Sequence, residues 1–383
     1  MDKTEKANDR PTTRRVVDID EVVIPNQEVR RFVVEAMRKV GCVEKHAEQL
    51  AELLILSDYR GHPSHGINRL HVYVNDVASG ACAGDGQPTV LNEKGATAWV
   101  DGNNILGPVV GTFAIQLAIK KARNFGIGFV AAKGSNHFGM AGFYAQQALR
   151  EGMIGFAFTN TSPCVFPTRS SEKALGSNAI CCAANGGDDQ FFLDMANSTV
   201  AYGKIEIADK AGDSIPLGWA KDAKGEDTAD TERVLSGGGL TPLGGSETFS
   251  SYKGYGLCMM VELLTGILAG SAYGPNIRRW LTTNDPANLG QSFMVIDPAV
   301  FAPGFEGRLE DLLSSMRNLT PTDPQLPVLV PGDPEKANMA FCDKVGGIVY
   351  HKSQLPALDE LADRIGIRQL QLKAHRPPGQ VYY

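Results

Sequence analysis

Gly126-Ile127-Gly128-Phe129-Val130-Ala131 carries the letters of the dinucleotide fingerprint G-x-G-x-x-A, and its context decides what kind of fold follows. Upstream, Gly107-Pro108 opens a helix whose inner face holds Val110, Ala114, Leu117, Ala118, Ala122 and Phe125. Downstream, Ile127 to Ala132 reads as a strand. A phosphate cradle must leave a strand and open a helix, so that the amide dipoles face the pyrophosphate. Here a helix runs into a strand, so Gly126 is expected to be a helix C-cap and a standard Rossmann site is rejected. The chain also lacks G-x-x-x-x-G-K-[ST], H-E-x-x-H and G-x-S-x-G, which removes the usual support for phosphoryl transfer and hydrolysis.

On the N-terminal side of this stretch the pattern is helical three times over. Asn26 to Lys39 stops at Gly41, Glu44 to Asp58 stops at Gly61, and a third segment runs from about Ser64. Gly80 to Pro88 is turn chemistry and marks a boundary, and Thr89 to Asn92 and Thr97 to Asp101 read as strands. On the C-terminal side come the loop Gly134 to Gly139, a helix Ala141 to Arg150 and a strand Ile154 to Thr159. Cys164 to Thr248 is rich in Gly, Ser, Asn and Asp and is expected to form short, mostly antiparallel strands with long loops. Lys253 to Leu268 reads as a buried helix, Gln291 to Ile296 as a strand and Gly307 to Asn318 as an amphipathic helix. Asp333 to Arg368 holds a last helix or two that can pack back on the N-terminal unit.

The 383 residues suit two or three domains, and 43% apolar with 21% charged residues is ordinary for a globular protein. A net charge of −6 offers no general attraction to nucleic acid or to an anionic membrane. The seven cysteines have no C-x-x-C or finger spacing, so they read as buried thiols of a reducing compartment, and no metal site is expected. The polar start, MDKTEKANDRPTTRRVVD, has no signal-peptide core, and the expected location is cytoplasmic.

Two histidine-bearing segments carry the chemistry. In Gly61-His-Pro-Ser-His-Gly-Ile-Asn-Arg69, a helix from Ser64 would align His65, Arg69 and Tyr73 on one stripe, with Ile67, Leu70, Val74 and Val77 on the opposite, core-facing one. That pairs an acid/base group with an anion clamp. In Ser135-Asn136-His137-Phe138-Gly139, a histidine ahead of a helix N-terminus feels the positive end of the dipole, which keeps the imidazole neutral. Asp194-Met195-Ala196-Asn197-Ser198 offers a carboxylate, an amide and a hydroxyl after a strand. Lys253 opens a helix where a cation suits only an anionic ligand, and Asn160-Thr161-Ser162 has side chains suited to amides or ribose hydroxyls.

Taken in order, His-Pro-Ser-His-Gly-Ile-Asn-Arg, Ser-Asn-His-Phe-Gly-Met-Ala-Gly, Leu-Asp-Met-Ala and Lys-Gly-Tyr-Gly-Leu resemble the malate/L-lactate dehydrogenase family that lacks a Rossmann fold. This family also includes ureidoglycolate, sulfolactate and cyclic-imine carboxylate oxidoreductases. The resemblance runs from about Ile24 to Ile367. It implies an α/β (α+β-like) chain whose nicotinamide-binding domain, residues 81–318, is built on a mixed, largely antiparallel sheet. A helical substrate-side domain, residues 21–80 completed by 319–375, would follow a flexible tail over 1–20. It further implies a homodimer, NAD or alternatively NADP, and reversible hydride transfer to a small 2-oxo acid, malate- or lactate-like. A cyclic imine carboxylate reductase and a non-catalytic cofactor-binding homologue are the alternatives.

Carried over by motif, Arg69, His65 and Tyr73 lie at the substrate. His137 matches a proton acceptor of some members, and Ser64, His65 and Asp194 match a relay of others, in which Asp194 paired with His65 would raise its pKa. The cofactor set is His65, Asn136, His137, Thr161, Asp194, Met195, Ala196, Asn197, Ser198 and Lys253. Arg308, on the amphipathic helix, is expected to reach toward the neighbouring subunit's cofactor. Ala179 and Asn185 stand where many relatives carry proline.

Overall fold

The structure, a computed structural model, describes residues 20–372. All but the last residue of the expected tail, and the end of the 319–375 segment, lie outside the described residues. The chain begins with a short strand β1 (Glu21–Ile24) and the helices α1 (Asn26–Lys39), α2 (Glu44–Tyr59) and α3 (Leu70–Ala78). In α1, Val29, Phe32, Val33, Ala36 and Met37 recur at helical spacing and are all fully buried. Strands β2 (Thr89–Lys94) and β3 (Thr97–Asp101) follow, then α4 (Gly107–Phe125), β4 (Ile127–Ser135), α5 (Gly142–Leu149), β5 (Ile154–Thr159), β6 (Ile180–Gly186) and β7 (Asp189–Met195). A smaller unit holds α6 (Tyr202–Ala211), β8 (Ala220–Lys221), β9 (Asp227–Thr228), α7 (Thr231–Leu235) and β10 (Gly239–Leu240). The chain ends with α8 (Ser251–Glu262), β11 (Leu289–Ile296), α9 (Phe305–Arg317), α10 (Asp333–Val345), β12 (Ile348–His351) and α11 (Leu355–Ile365).

Seven strands form the main sheet in the order β2-β3-β4-β11-β5-β6-β7. Only β3 and β4 pair in parallel, joined by α4 as the crossover, and the other pairings are antiparallel. This is a mixed, largely antiparallel sheet in an α/β chain, as expected. Gly126 has φ +77°, and its N–H bonds to the Ala122 carbonyl at 2.7 Å, the left-handed cap that ends α4 before β4 begins. The inner face of α4 is as expected at Val110, Ala114, Ala118 and Ala122, all fully buried, but Phe125 at its last position is 57% exposed.

The two chain ends meet. β1 pairs antiparallel with β12, with Val22 opposite Tyr350, and Ile348, Tyr350, Leu358 and Leu361 join the same core as the residues of α1 and α2. Three features depart from the sequence-based expectations. The 164–248 region contains α6 and α7 beside its small β10-β8-β9 sheet, packed round Val165, Ile205, Ala220, Val234 and Leu240. Strands β1 and β12 were not anticipated. The 253–268 segment is buried on one face only: Cys258, Val261 and Thr265 are fully buried, whereas Met259, Leu263 and Leu268 on the other face are 48–58% exposed. No helix among the described residues is long and apolar enough to cross a membrane.

Candidate active site

One end of the sheet gathers the chemistry. Ser135 at the end of β4 sits opposite Leu289, Gln291 opposite Thr159 at the end of β5, and Phe158 opposite Ile180, which in turn faces Met195 at the end of β7. The loops that leave these strands therefore emerge together, carrying Asn136 and His137, Thr161, Asn178, and Asp194 to Ser198. Arg308 is not among them within one chain. Its helix α9 packs at Gly186 and Gly187, the hairpin end of β6 and β7, roughly 20 Å along the strand from Met195. Arg308 there donates to the carbonyls of Ala302 and Pro303.

The 61–69 segment comes onto this end from the helical layer. It is not the continuous helix expected from Ser64: two 3₁₀ turns, Pro63–His65 and Ile67–Arg69, are broken at Gly66, whose backbone is extended, and α3 starts only at Leu70. The reason is Asp58, whose carboxylate lies where a side chain at Gly66 would stand, 1.7 Å from the position of a Cβ. The expected convergence survives by another route. His65 and His137 stack with ring centroids 6.0 Å apart and planes 15° apart, and the Tyr73 hydroxyl lies 2.7 Å from Nδ1 of His137. Ser64 Oγ is 3.0 Å from Nδ1 of His65. Arg69 donates through Nε to the Ser64 carbonyl at 2.8 Å, while one terminal nitrogen is 3.4 Å from Glu206. Ile67, Leu70, Val74 and Val77 are buried, as the opposite stripe requires.

Electrostatics hold both imidazoles neutral. Burial first, then the positive charge of Arg69 and His62, pushes His65 down to about 4. Burial, then His65 and Arg69, pushes His137 down to about 3. The direction for His137 is as expected, but burial leads its causes. For His65 the expectation is reversed, since Asp194 is not its partner. Asp194 instead accepts the Gly142 N–H at 2.7 Å at the start of α5, and its charged neighbours are His62, Arg60 and Glu335. Burial raises the Asp194 carboxyl against the pull of His62, Gly142 and Arg60.

The remaining residues assemble beside this centre. Asn197 donates from its backbone to the Ser177 carbonyl at 2.7 Å and from Nδ2 to the Asn178 carbonyl at 2.6 Å, and Ser198 Oγ caps the Val200 carbonyl at 2.8 Å. Asn178 donates to the Cys258 carbonyl and to Glu262 of α8, the helix whose first turn carries an exposed Lys253. Thr161 abuts Gly176, and Met195 and Ala196 are half-buried between β7 and Asn197. Asn136 donates from Nδ2 to the carbonyl of Ile105 at 2.9 Å. The Oδ1 atoms of Asn136, Asn178 and Asn197 are buried with no partner. Such orphaned acceptors are costly and mark a tightly packed polar wall. The groups beside it that are open to a ligand are the exposed Lys253 and the half-buried Thr161, Met195 and Ala196, and a cation next to a hydroxyl and backbone amides suits an anionic nucleotide.

Several neighbours were not legible from residue pattern alone. Trp280 packs 5.3 Å from the His137 ring, and Gln291 bonds both the Ser135 hydroxyl and the Asn136 carbonyl. Trp280 lies in a loop with no periodicity, where a lone tryptophan among polar residues was the one available signal. Gln291 sits inside a strand pattern that hides a polar role.

A family model described as malate/L-lactate dehydrogenase matches residues 24–359. The malate dehydrogenase of Pyrococcus abyssi is 39% identical over 359 residues, 93% of this chain and 98% of that protein. The structure of malate dehydrogenase from Pyrococcus horikoshii superposes with a TM-score of 0.85 at 36% identity, covering 93% of this chain and 99% of that one. A delta1-piperideine-2-carboxylate reductase structure from Pseudomonas syringae gives 0.78 at 29% identity, covering 89% and 99%. With the match spanning most of its length, the chain belongs to the malate/L-lactate dehydrogenase family.

Proposed function

We propose that the chain is an NAD(P)-dependent 2-hydroxyacid dehydrogenase that moves a hydride reversibly between the nicotinamide and a small, malate- or lactate-like acid. The observation that carries this reading is the meeting of Arg69 with two neutral imidazoles at the end of the sheet. NAD is the proposed cofactor and NADP the alternative. When bound, the nicotinamide supplies the hydride acceptor or donor. Thr161, Asp194 to Ser198, Asn136 and Lys253 would hold it.

The chain's own residues do the rest. Arg69 has donors left for a substrate carboxylate, and its planar fork fixes both oxygens and hence the orientation of C2. A neutral imidazole, His137 or His65, accepts the hydroxyl proton in oxidation. A bound carboxylate also offsets the charge of Arg69, one of the causes that depress both histidines, so substrate binding raises their pKa toward the range in which an imidazolium can return the proton in reduction. Tyr73 orients His137, and Trp280 covers its ring away from water. Asp194 holds the start of α5 and with it the His137 loop.

A second copy completes the enzyme. The exposed apolar face of α8 is the surface it covers, and α9 with Arg308 is the segment that reaches the partner's cofactor. Location is cytoplasmic, in keeping with seven free thiols. The second reading, reduction of a cyclic imine carboxylate, is favoured by the likeness to the piperideine carboxylate reductase and uses the same clamp, with the proton going to nitrogen. A spectrophotometric panel of 2-oxo acids and cyclic imines with NADH and NADPH tests these readings. Turnover of an oxo acid supports the first and turnover of an imine alone supports the second. Cofactor binding with no turnover of either leaves a non-catalytic homologue.

A further inference from the structure

Asp58, on the last turn of α2, is a carboxylate that the chemistry above does not use. It is 5% exposed, and among the described residues no cation bonds to it. Its Oδ2 accepts two hydrogen bonds, from the Ile67 N–H at 2.8 Å and from the Tyr350 hydroxyl at 2.8 Å. Its Oδ1 is buried without a partner and packs against the Cα of Gly66, where any side chain would collide with it. Ile67 lies two residues after His65 and two before Arg69, as the first residue of the second 3₁₀ turn, just after the break at Gly66. Tyr350, 3% exposed, belongs to β12 and comes from the far end of the chain. Further contacts from the same end flank the loop: Asn338 of α10 donates to the Tyr59 carbonyl at 2.9 Å, and Glu335 lies 3.6 Å from His62.

A buried carboxyl with no cation is expensive, and burial pushes it up to about 7 against the pull of its two donors. An apolar side chain would cost less for stability alone, but it would leave the Ile67 N–H unpaired and the loop free to straighten into helix. We propose that Asp58 is a positioning residue: its Oδ2, braced by the Tyr350 hydroxyl, fixes the Ile67 N–H and so sets where His65 and Arg69 point. Through Tyr350, the C-terminal strand takes part in building the site. This rests on the reading of His65 and Arg69 as substrate groups, so the test has a readout that does not depend on turnover.

The variants are Asp58→Ala, Asp58→Asn and Tyr350→Phe in the full chain. Hydrogen exchange of the peptide covering residues 61–69 is compared with that of α4 as an internal control, alongside kcat and KM for the oxo acid. In Asp58→Ala the 61–69 amides exchange about 10-fold faster or more while α4 is unchanged, and kcat/KM falls by roughly 10- to 100-fold, shared between kcat and KM. Asn keeps an oxygen at Oδ2 and returns most of both. Tyr350→Phe gives the same effects several-fold smaller, and it decides the matter if Asp58→Ala does not fold. Unchanged 61–69 exchange with unchanged kinetics and only a lower Tm overturns the proposal, and so does failure of Asn to rescue. If the wild type turns over no oxo acid, the functional reading fails and the exchange measurement still decides the role of Asp58.

Discussion

Replacing Tyr73 by phenylalanine removes one atom from the centre of the site. The hydroxyl is 2.7 Å from Nδ1 of His137, and the residue is 3% exposed, so no water replaces it without rearrangement. Leaving a buried ring nitrogen unpaired costs about 1–3 kcal/mol, which corresponds to a factor of roughly 5 to 150. The lower half of that range applies, because the rings of His65 at 6.0 Å and Trp280 at 5.3 Å still hold the imidazole plane. Tyr73 reaches the reacting atoms through His137, so the loss falls on kcat, by about 5- to 30-fold, with the KM for acid and for NADH within about twofold of wild type. Steady-state kinetics in both directions, with melting curves to confirm folding, measure it. A Tyr73→Phe enzyme with wild-type kcat would remove the Tyr73–His137 pair from the mechanism.

Arg69→Lys should raise KM and lower kcat/KM for the carboxylate substrate by on the order of 10- to 1,000-fold with NADH affinity nearly unchanged, since a lysine cannot reproduce the fork; unchanged kinetics take Arg69 out of the site. Burial and neighbouring charge push His65 down to about 4 and His137 down to about 3 in the folded chain, against roughly 6.5 unfolded, so the stability they contribute is complete above pH 6.5 and is lost as pH falls, to about 4 for His65 and about 3 for His137. For His65 that amounts to on the order of 3 kcal/mol at most, and urea midpoints should fall more steeply with acid in the wild type than in His65→Gln. Asp58, raised to about 7, acts in the opposite sense, which is why the comparison is with a variant; parallel pH curves would refute the assignment. Leu263→Glu, on the exposed face after α8, should give a folded monomer by sedimentation, and a wild type that is itself a fully active monomer would sink the dimer.

Helical periodicity made α1, α2 and α4 legible, because each buries one face against the sheet or a neighbouring helix. The helix-to-strand context of Gly126 was enough to exclude a phosphate cradle. What stayed hidden was set by contacts distant in sequence. The break at Gly66 depends on Asp58 and Tyr350, and the short strand β12 becomes a strand only because β1 lies beside it. Asp194 carried the right chemistry in the sequence, but only the packing of α5 on β7 revealed that it holds Gly142 and faces His62 in place of His65. The apolar residues of α8 and the turn after it read as core in one dimension, because a pattern cannot tell a buried apolar face from an exposed one.

Direct transfer of hydrogen from C2 of the acid to the nicotinamide is the claim on which the rest depends. Incubating the protein with NAD or NADP and a 2-deuterated malate- or lactate-like hydroxy acid, then weighing the reduced cofactor by mass spectrometry, tests it in one step. The account predicts one deuterium per reduced nicotinamide, and in Arg69→Lys less reduced cofactor in proportion to activity, still with one deuterium each. Reduced cofactor without deuterium, or no reduction with any hydroxy acid, would contradict it.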